Sequence, residues 1–352
     1  MHPICSIQQG YKTTIFTSSS HCHRHHIFRR QLLNQTRKRS HASFPVITAR
    51  NNDTIENLVP YEGAPVPTKM NNIPHSREMR RHFYSEITTA VLAGLSAGKT
   101  RLNVRCTIPE LNTEFDVYRV GTLLELVRDV ACAVTADGRK VKVCVQQPLG
   151  EGVFQGTPLS LSGVMRIMQQ MDWGEAKEFI SLGNLGAAEV NGSKNNTRID
   201  GENVQGQNSD PDVFILISPQ NLTGQSVLPL LEEMTEEADK LNKSVILINA
   251  KLGDIPSSGG LMGVRGRQDR QDFIKTFTPA YHFRLLYLGA GPYPIMGALR
   301  YTYGGPWEVL KRIDFIEPET GEREEAYQIV GRFLEKEPGA GEITECFQRK
   351  NS

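Results

Sequence analysis

The chain has 352 residues, of which 39% are hydrophobic and 22% are charged, a composition that excludes an intrinsically disordered protein. Residues 1–52 contain eight Lys or Arg and no Asp or Glu, which leaves 32 basic against 39 acidic residues in the remainder. This mildly acidic body argues against nucleic acid as the main partner, because phosphate binding draws on basic clusters.

Residues 1–50 have the composition of an organelle transit peptide, which is basic, rich in Ser and Thr and free of acidic residues. The Ser and Thr content favours the chloroplast, so we predict a stromal protein. The run from His21 to His26, which encloses Cys22, could be a metal site. Compositional drift in a segment removed after import is the simpler interpretation, and we predict neither a metal nor a cofactor. We also predict no transmembrane span, since no run approaches ~20 apolar residues.

An extended linker over residues 51–73 leads into a helix from Pro74 to Ala97. The sequence Gly98-Lys99-Thr100 at the end of this helix resembles part of a P-loop. However, a P-loop follows a strand and opens a helix, and this sequence closes a helix and precedes a strand. We therefore predict no ATP site here.

The next segments alternate between strand and helix. We predict strands at Arg101–Ile108, Lys140–Val145 and within Phe179–Val190, and helices at Thr122–Ala136 and Leu159–Trp173. Thr122 and Glu125 have the spacing of a capping box at the start of the second helix.

The centre of the chain is the stretch Pro211–Leu252. Two short apolar runs, Val213–Ile217 and Val245–Ile248, flank a helix-length segment with apolar residues every three or four positions. This pattern predicts a βαβ unit, and the lack of polar alternation in the strands predicts a parallel sheet covered on both faces.

Further elements complete the predicted domain. A polar insertion at 191–211 precedes the central unit, and a helix at Gln268–Phe277 and a strand at His282–Leu288 follow it. Leu299–Ile313 predicts a hairpin at the sheet edge, and Glu322–Glu337 predicts a final helix before a tail at 338–352. The whole predicts a single α/β domain over 74–337, Rossmann-like, with a mostly parallel sheet, helices on both faces and an antiparallel edge hairpin.

Polar residues at the predicted strand ends are candidate ligand-binding residues, because the carboxyl ends of parallel strands meet at one edge. A glycine-rich loop follows the second strand of the central unit and could hold a phosphate or carboxylate. Ordinary turn chemistry is the simpler explanation of the same residues. The candidates are Ser218, Gln220, Asn221, Asn249, Gly259, Gly260, Arg265 and Arg267.

The aromatic residues Tyr301, Tyr303 and Trp307 in the hairpin are candidates for a partner surface. Packing between the two strands of the hairpin is the alternative use of these side chains.

Four stretches together resemble a plant and algal chloroplast family of unknown-function domains. They are PHSREMRRHFYSEITTAVLAGLSAGKTRLNV, FILISPQN, SVILINAKL and LRYTYGGPWEVLKR. Members of that family include the Low PSII Accumulation 3 protein and a domain fused to a chloroplast adenylate kinase. The resemblance implies a role in photosystem II assembly and supplies no catalytic residues.

Two functions follow as expectations. The first is a non-enzymatic chloroplast factor that assists assembly or maintenance of thylakoid complexes, with those complexes or their assembly machinery as partners. The alternative is a stromal α/β protein, either an enzyme or a binding protein, that binds a nucleotide or another small molecule at the strand ends.

Overall fold

The structure, a computed structural model, describes residues 66–147, 161, 163–191, 197–198, 210–222, 224–254, 261–288 and 294–348. These residues all lie in one compact unit that extends from Gly63 to Ser352. The predicted transit peptide, most of the predicted linker and most of the polar insertion lie outside the described residues.

Within the described residues, ten strands form one sheet with the order β10-β9-β8-β7-β1-β6-β5-β2-β3-β4. The strands are β1 (Arg101–Thr107), β2 (Val141–Val145), β3 (Ile180–Asn184), β4 (Thr197–Arg198), β5 (Val213–Ile217), β6 (Ser244–Ile248), β7 (Thr278–Tyr287), β8 (Ile295–Thr302), β9 (Trp307–Ile316) and β10 (Arg323–Phe333).

The helices are α1 (Arg77–Ser96), α2 (Val120–Ala136), α3 (Val164–Gln170), α4 (Ala187–Val190), α5 (Leu228–Lys240), α6 (Leu261–Val264), α7 (Arg267–Lys275) and α8 (Ala340–Gln348). Among the described residues, none of these helices has the length and apolar character needed to cross a membrane.

The fold class is the predicted one, with six parallel strands from β7 to β3 at the centre of the sheet. The central βαβ unit is confirmed: β5 and β6 are parallel neighbours joined through α5. All five residues of β5 are buried, as expected for a strand covered on both faces.

Three apolar clusters cover the sheet. On the first face, α1, α2 and α3 pack against strand residues such as Val104 and Ile215. On the second face, α5 and α7 cover β5 and β6, and α8 covers β8 and β9. The α8 cluster belongs to the second face because it contains Leu286, whereas the neighbouring Leu285 packs on the first face. Between these two clusters on the second face lies a strip of β1 and β7.

The predicted helix at Glu322–Glu337 is wrong, because this segment contains β10, which pairs antiparallel with β9. The register shifts between Ile329 and Gly331, so an extra residue is inserted at Val330. Such a bulge changes which face the following side chains point to. Val330 and Phe333, three positions apart across the bulge, pack in the same apolar cluster, and this spacing imitates a helix.

The predicted hairpin is present as β8 and β9, but β10 pairs beyond it and occupies the sheet edge. The segment expected to be a tail contains α8, whose Ile343 and Cys346 pack on the second face. The domain therefore continues past 337, to at least Gln348.

The predicted capping box at Thr122 is also wrong. The helix α2 begins two residues earlier, at Val120, and the hydroxyl of Thr122 donates to Glu110 Oε2 at 3.1 Å. The Thr122 hydroxyl, which the sequence pattern assigned to capping the helix, is therefore a hydrogen-bond donor to Glu110.

A buried ionic network joins α1 to the antiparallel part of the sheet. The guanidinium of Arg300 contacts Glu308 at 2.8 Å and Glu86 at 3.3 Å, and Tyr281 donates to Glu86 at 2.8 Å. Because water is excluded, each charge depends on its partners for solvation.

We expect Arg300→Met to lower the free energy of unfolding by about 3 kcal/mol, since it leaves Glu86 and Glu308 buried with their main cation removed. The control is Arg323→Met, which breaks the exposed contact with Asp314 and should change stability little. Urea unfolding followed by circular dichroism measures both. Equal effects of the two substitutions would contradict the role given to the network.

Candidate functional site at the carboxyl edge of the sheet

After the neighbouring parallel strands β1 and β6, the chain continues to opposite faces of the sheet. The chain leaving β1 passes through α2 on the first face to reach β2, and the chain leaving β6 passes through α7 on the second face to reach β7. Parallel sheets form a crevice at such a point, outside the carboxyl ends of the strands. A cavity of about 770 Å³ occupies this position.

Asn249 fixes the base of the cavity. Its Oδ1 accepts from the amide of Cys106 at 2.7 Å, and its Nδ2 donates to the Cys106 carbonyl at 2.9 Å. The Asn249 backbone has φ of 50°, in the left-handed region that asparagine tolerates better than most residues. The side chain of Asn249 therefore ties the end of β6 to β1.

The other predicted residues after β5 hold the adjoining loops together. Ser218, also left-handed with φ of 42°, donates its hydroxyl to the carbonyl of Asn249 at 3.1 Å. The amide of Gln220 donates to Gln146 Oε1 at 2.8 Å, and Asn221 Nδ2 donates to the carbonyl of Gly253 at 2.8 Å. These residues line the cavity and converge as predicted. Many of their donors and acceptors, however, already form hydrogen bonds within the protein.

The glycine-rich loop is described only in part, since Gly259 and Gly260 lie outside the described residues. Arg267 is exposed and pairs with Asp254 through two contacts of 2.5 and 2.6 Å, which holds the pKa of that carboxyl below its usual value. The side chain of Arg265 is exposed. Neither arginine lines the cavity, so these two residues do not join the four predicted residues that do line it. A ligand-binding role for these loop residues stays a prediction.

Four cationic residues that the sequence analysis did not select line the cavity: Arg105, Lys251, Arg270 and Arg284. Within the described residues, Arg105, Lys251 and Arg284 make no side-chain hydrogen bond and no close ion pair. The acidic residues lining the cavity are Glu114, which is exposed, and Asp254, which Arg267 engages. The cavity is therefore electropositive.

Arg270 is the most buried of the four cations, with 1% of its surface exposed. Its Nε donates to the carbonyl of Gly253 and its Nη1 to the carbonyl of Arg265, both at 2.8 Å. The remaining nitrogen, Nη2, is buried and has no hydrogen-bond acceptor among the described residues. A buried guanidinium nitrogen without an acceptor is costly, which makes this atom a candidate donor to a ligand.

The strip of β1 and β7 between the two clusters of the second face continues the electropositive site. Residue 105 on β1 pairs in register with residue 282 on β7, and Arg284 is two positions further along β7 on the same face. Burial and the charges of both arginines hold the pKa of His282 well below its ordinary value, so this imidazole is neutral. Burial also lowers the pKa of Lys251 and of Arg284, although Glu114 and Glu337 oppose the respective shifts.

The loop after β1 forms a wall of the cavity that includes Phe115 and Tyr118. Glu110, which is fully buried, holds this loop by accepting from the amide of His75 at 3.0 Å and the hydroxyl of Thr122. Phe115 contacts Tyr287 edge to face, with 5.8 Å between ring centroids. Burial raises the pKa of Tyr118 to about 12, so its hydroxyl keeps its proton.

The hairpin aromatics lie away from this cavity and do not line it. Trp307 is buried, stacks on Tyr301 at 4.7 Å and meets His282 edge to face at 5.0 Å. Packing within the sheet therefore accounts for Trp307, whereas Tyr301 and Tyr303 are half-buried and stay candidates for a partner surface.

The comparison with protein families covers most of the described fold. The model of a domain of unknown function, DUF1995, matches residues 77–345, which begins at α1 and ends within α8. The chain belongs to the DUF1995 family. The matched region contains every described residue that lines the cavity. The family description assigns no activity to these residues.

The four cations were missed for different reasons, although the sequence contains signals for two. Arg270 shares a helical face with Phe273 and Phe277, and an arginine on an apolar face calls for an internal partner. Arg284 lies within the apolar strand segment YHFRLLY. Arg105 alternates outward on β1 and Lys251 follows β6, and neither position differs from an ordinary surface charge in the sequence.

We expect Asn249→Ala to lower the free energy of unfolding by about 2 to 4 kcal/mol more than Asn242→Ala does. Both residues have a left-handed backbone, with φ of 50° and 52°, so both substitutions incur the same conformational cost. Only Asn249 makes buried side-chain bonds to Cys106. Urea unfolding of the two variants measures the difference, and equal destabilisation would show that the bond pair contributes little.

Proposed function

We propose that this DUF1995 domain binds a small anionic molecule, carrying a phosphate or carboxylate group, in the cavity at the carboxyl edge of its sheet. The observation that carries the proposal is the buried Nη2 of Arg270, which has no acceptor among the described residues. A carboxylate or phosphate oxygen is the acceptor that a guanidinium group binds most strongly.

The surrounding charges support an anion over a neutral ligand. Arg105 and Arg284 lie on adjacent strands of the same face, two positions apart in register, and repel each other. Arg284 and Lys251 are half-buried, where the attraction to an anion is stronger than in bulk water. An anion in the cavity would therefore relieve the repulsion between the arginines and satisfy Arg270 at the same time.

We expect pyrophosphate, used as a probe, to bind the full-length protein, and Arg284→Met to weaken that binding by about tenfold or more. The affinity should fall as ionic strength rises, because the attraction is between charges. Isothermal titration calorimetry at two salt concentrations measures both effects.

Arg284→Met is preferred to a substitution at Arg270, since Arg284 makes no hydrogen bond within the described residues and its removal should not unfold the protein. Arg323→Met, on the distant strand β10, is the matched control and should bind as the wild type does. The proposal fails if pyrophosphate gives no binding heat, or if Arg284→Met and Arg323→Met bind it equally.

A second candidate function is the assembly or maintenance of thylakoid protein complexes, expected from the family resemblance and from the chloroplast location predicted by residues 1–50. The feature of the fold that favours it is the far end of β9, where Ile313, Phe315 and Ile316 are exposed. Large apolar side chains on an exposed strand are typical of contact surfaces. Tyr301 lies near the end of β8 and Tyr303 in the turn that follows, at the opposite end of β9 from these three residues.

If this second function holds, Phe315→Ser with Ile316→Ser should lower the fraction of protein that sediments with purified thylakoids by severalfold. Burial of two apolar side chains contributes about 1.5–3 kcal/mol each when complete, and these two would be buried in part. The control is Leu241→Ser, which removes an exposed apolar residue next to α5, on another part of the surface. Sedimentation unchanged by the double substitution would exclude this end of β9 as the contact.

A further inference from the structure

We propose that the ligand is an aromatic molecule carrying its anionic group at one end, with the ring seated on the first-face side of the cavity and the anion on the second-face side. This inference rests on the proposed function and specifies its ligand class. It follows from the way in which the cavity lies across the edge of the sheet.

A group of apolar side chains lines the first-face side of the cavity, next to the polar residues 112–114 of the loop after β1. Leu111, Leu123 and Leu285 line it, and all three belong to the apolar cluster of the first face. Tyr118 and Tyr287 pack against the same cluster, and Phe115 contacts Tyr287. Aromatic and aliphatic walls of this kind favour flat, apolar ring systems, because aromatic rings gain from edge-to-face or offset contacts in addition to burial.

The second-face side is cationic. Arg105 and Arg284 alternate with Cys106 and Leu285, which pack on the first face, so the two arginines point to the second face. Arg270 lies on α7, the helix that covers the second face, where Phe273 packs. The three arginines and the cluster of leucine and aromatic side chains thus lie on opposite faces of the sheet, and Ala250, Leu252 and Ile274 add apolar surface on the second-face side.

The size of the cavity agrees with a ligand of this class. Its volume of about 770 Å³ lies within the range of ~300–1,000 Å³ that is typical of sites for drug-sized ligands and cofactors. An inorganic anion would occupy the cationic side and leave the aromatic wall unused. A ligand with two chemically different ends uses both sides.

A matched set of probes tests the inference on the full-length protein by calorimetry. The probes are 2-naphthyl phosphate, 2-naphthoate, the uncharged ring 2-naphthol, and inorganic phosphate. We expect at least one of the two naphthyl anions to bind at least tenfold more tightly than both 2-naphthol and inorganic phosphate. The stronger of these two anions identifies the phosphate or carboxylate as the preferred group.

Two substitutions locate the ends of the ligand. Phe115→Leu keeps an apolar side chain but removes the ring, and it should weaken the preferred naphthyl anion about threefold to tenfold while leaving pyrophosphate binding unchanged. Arg284→Met should weaken both. Melting temperatures of the variants establish that each remains folded.

The outcomes separate this inference from the proposed function. Pyrophosphate binding that depends on Arg284, together with naphthyl anions no tighter than inorganic phosphate, would retain the anion site and overturn the aromatic ligand. Naphthyl-anion binding that Phe115→Leu does not alter would also overturn it. Failure of every anionic probe to bind would overturn both the inference and the proposed function.

Discussion

The pair of hydrogen bonds between Asn249 and the backbone of Cys106 is the constraint on which the carboxyl edge of the sheet depends. Strands β1 and β6 are parallel neighbours, but their chains leave to opposite faces, so no continuing backbone ladder holds them beyond their ends. Without these hydrogen bonds, the crevice between the segments that follow the two strands would have exposed amides and no fixed width. The Asn249 side chain supplies one donor and one acceptor in place of the ladder and sets the base of the cavity.

The cationic side of the cavity departs from what stability alone would select. Folded proteins pair or expose their charges, whereas here a buried guanidinium retains an unused donor and two arginines lie close on adjacent strands. The His282 imidazole beside them is neutral mainly because it is buried, and the charges of the two arginines lower its pKa further. Such a concentration of unsatisfied like charge is tolerated where a ligand supplies the opposite charge, and its energetic cost then becomes part of the affinity.

The sequence predicts the parallel core well, because strands buried on both faces give continuous apolar runs and α5 gives a clear helical period. It also predicts that Ser218, Gln220, Asn221 and Asn249 meet, since parallel strands end at one edge. It fails at β10, where the bulge near Val330 imitates helical spacing.

The cationic lining could not be predicted as a set. Its members come from β1, β7, α7 and the loop after β6, and only the strand order brings them together. The order β7-β1-β6 depends on long-range pairing that local pattern does not encode. For the same reason, the sequence could show that Asn249 ends a strand. It could not show that the Asn249 side chain would form hydrogen bonds with the backbone of Cys106.

The antiparallel strands contribute to the site, although none of β8, β9 and β10 reaches the cavity. In a sheet that ended at β7, the second-face side chains of that strand would lie at an edge, open to water. Pairing with β8 makes β7 an interior strand, and Trp307 on β9 packs against His282. The cluster formed by α8 borders the strip on the side away from α7. Burial of this kind lowers the local dielectric around Arg284 and strengthens its attraction to an anion. The extension beyond β7 would therefore influence the proposed anion binding through the environment of Arg284, because its own residues do not line the cavity.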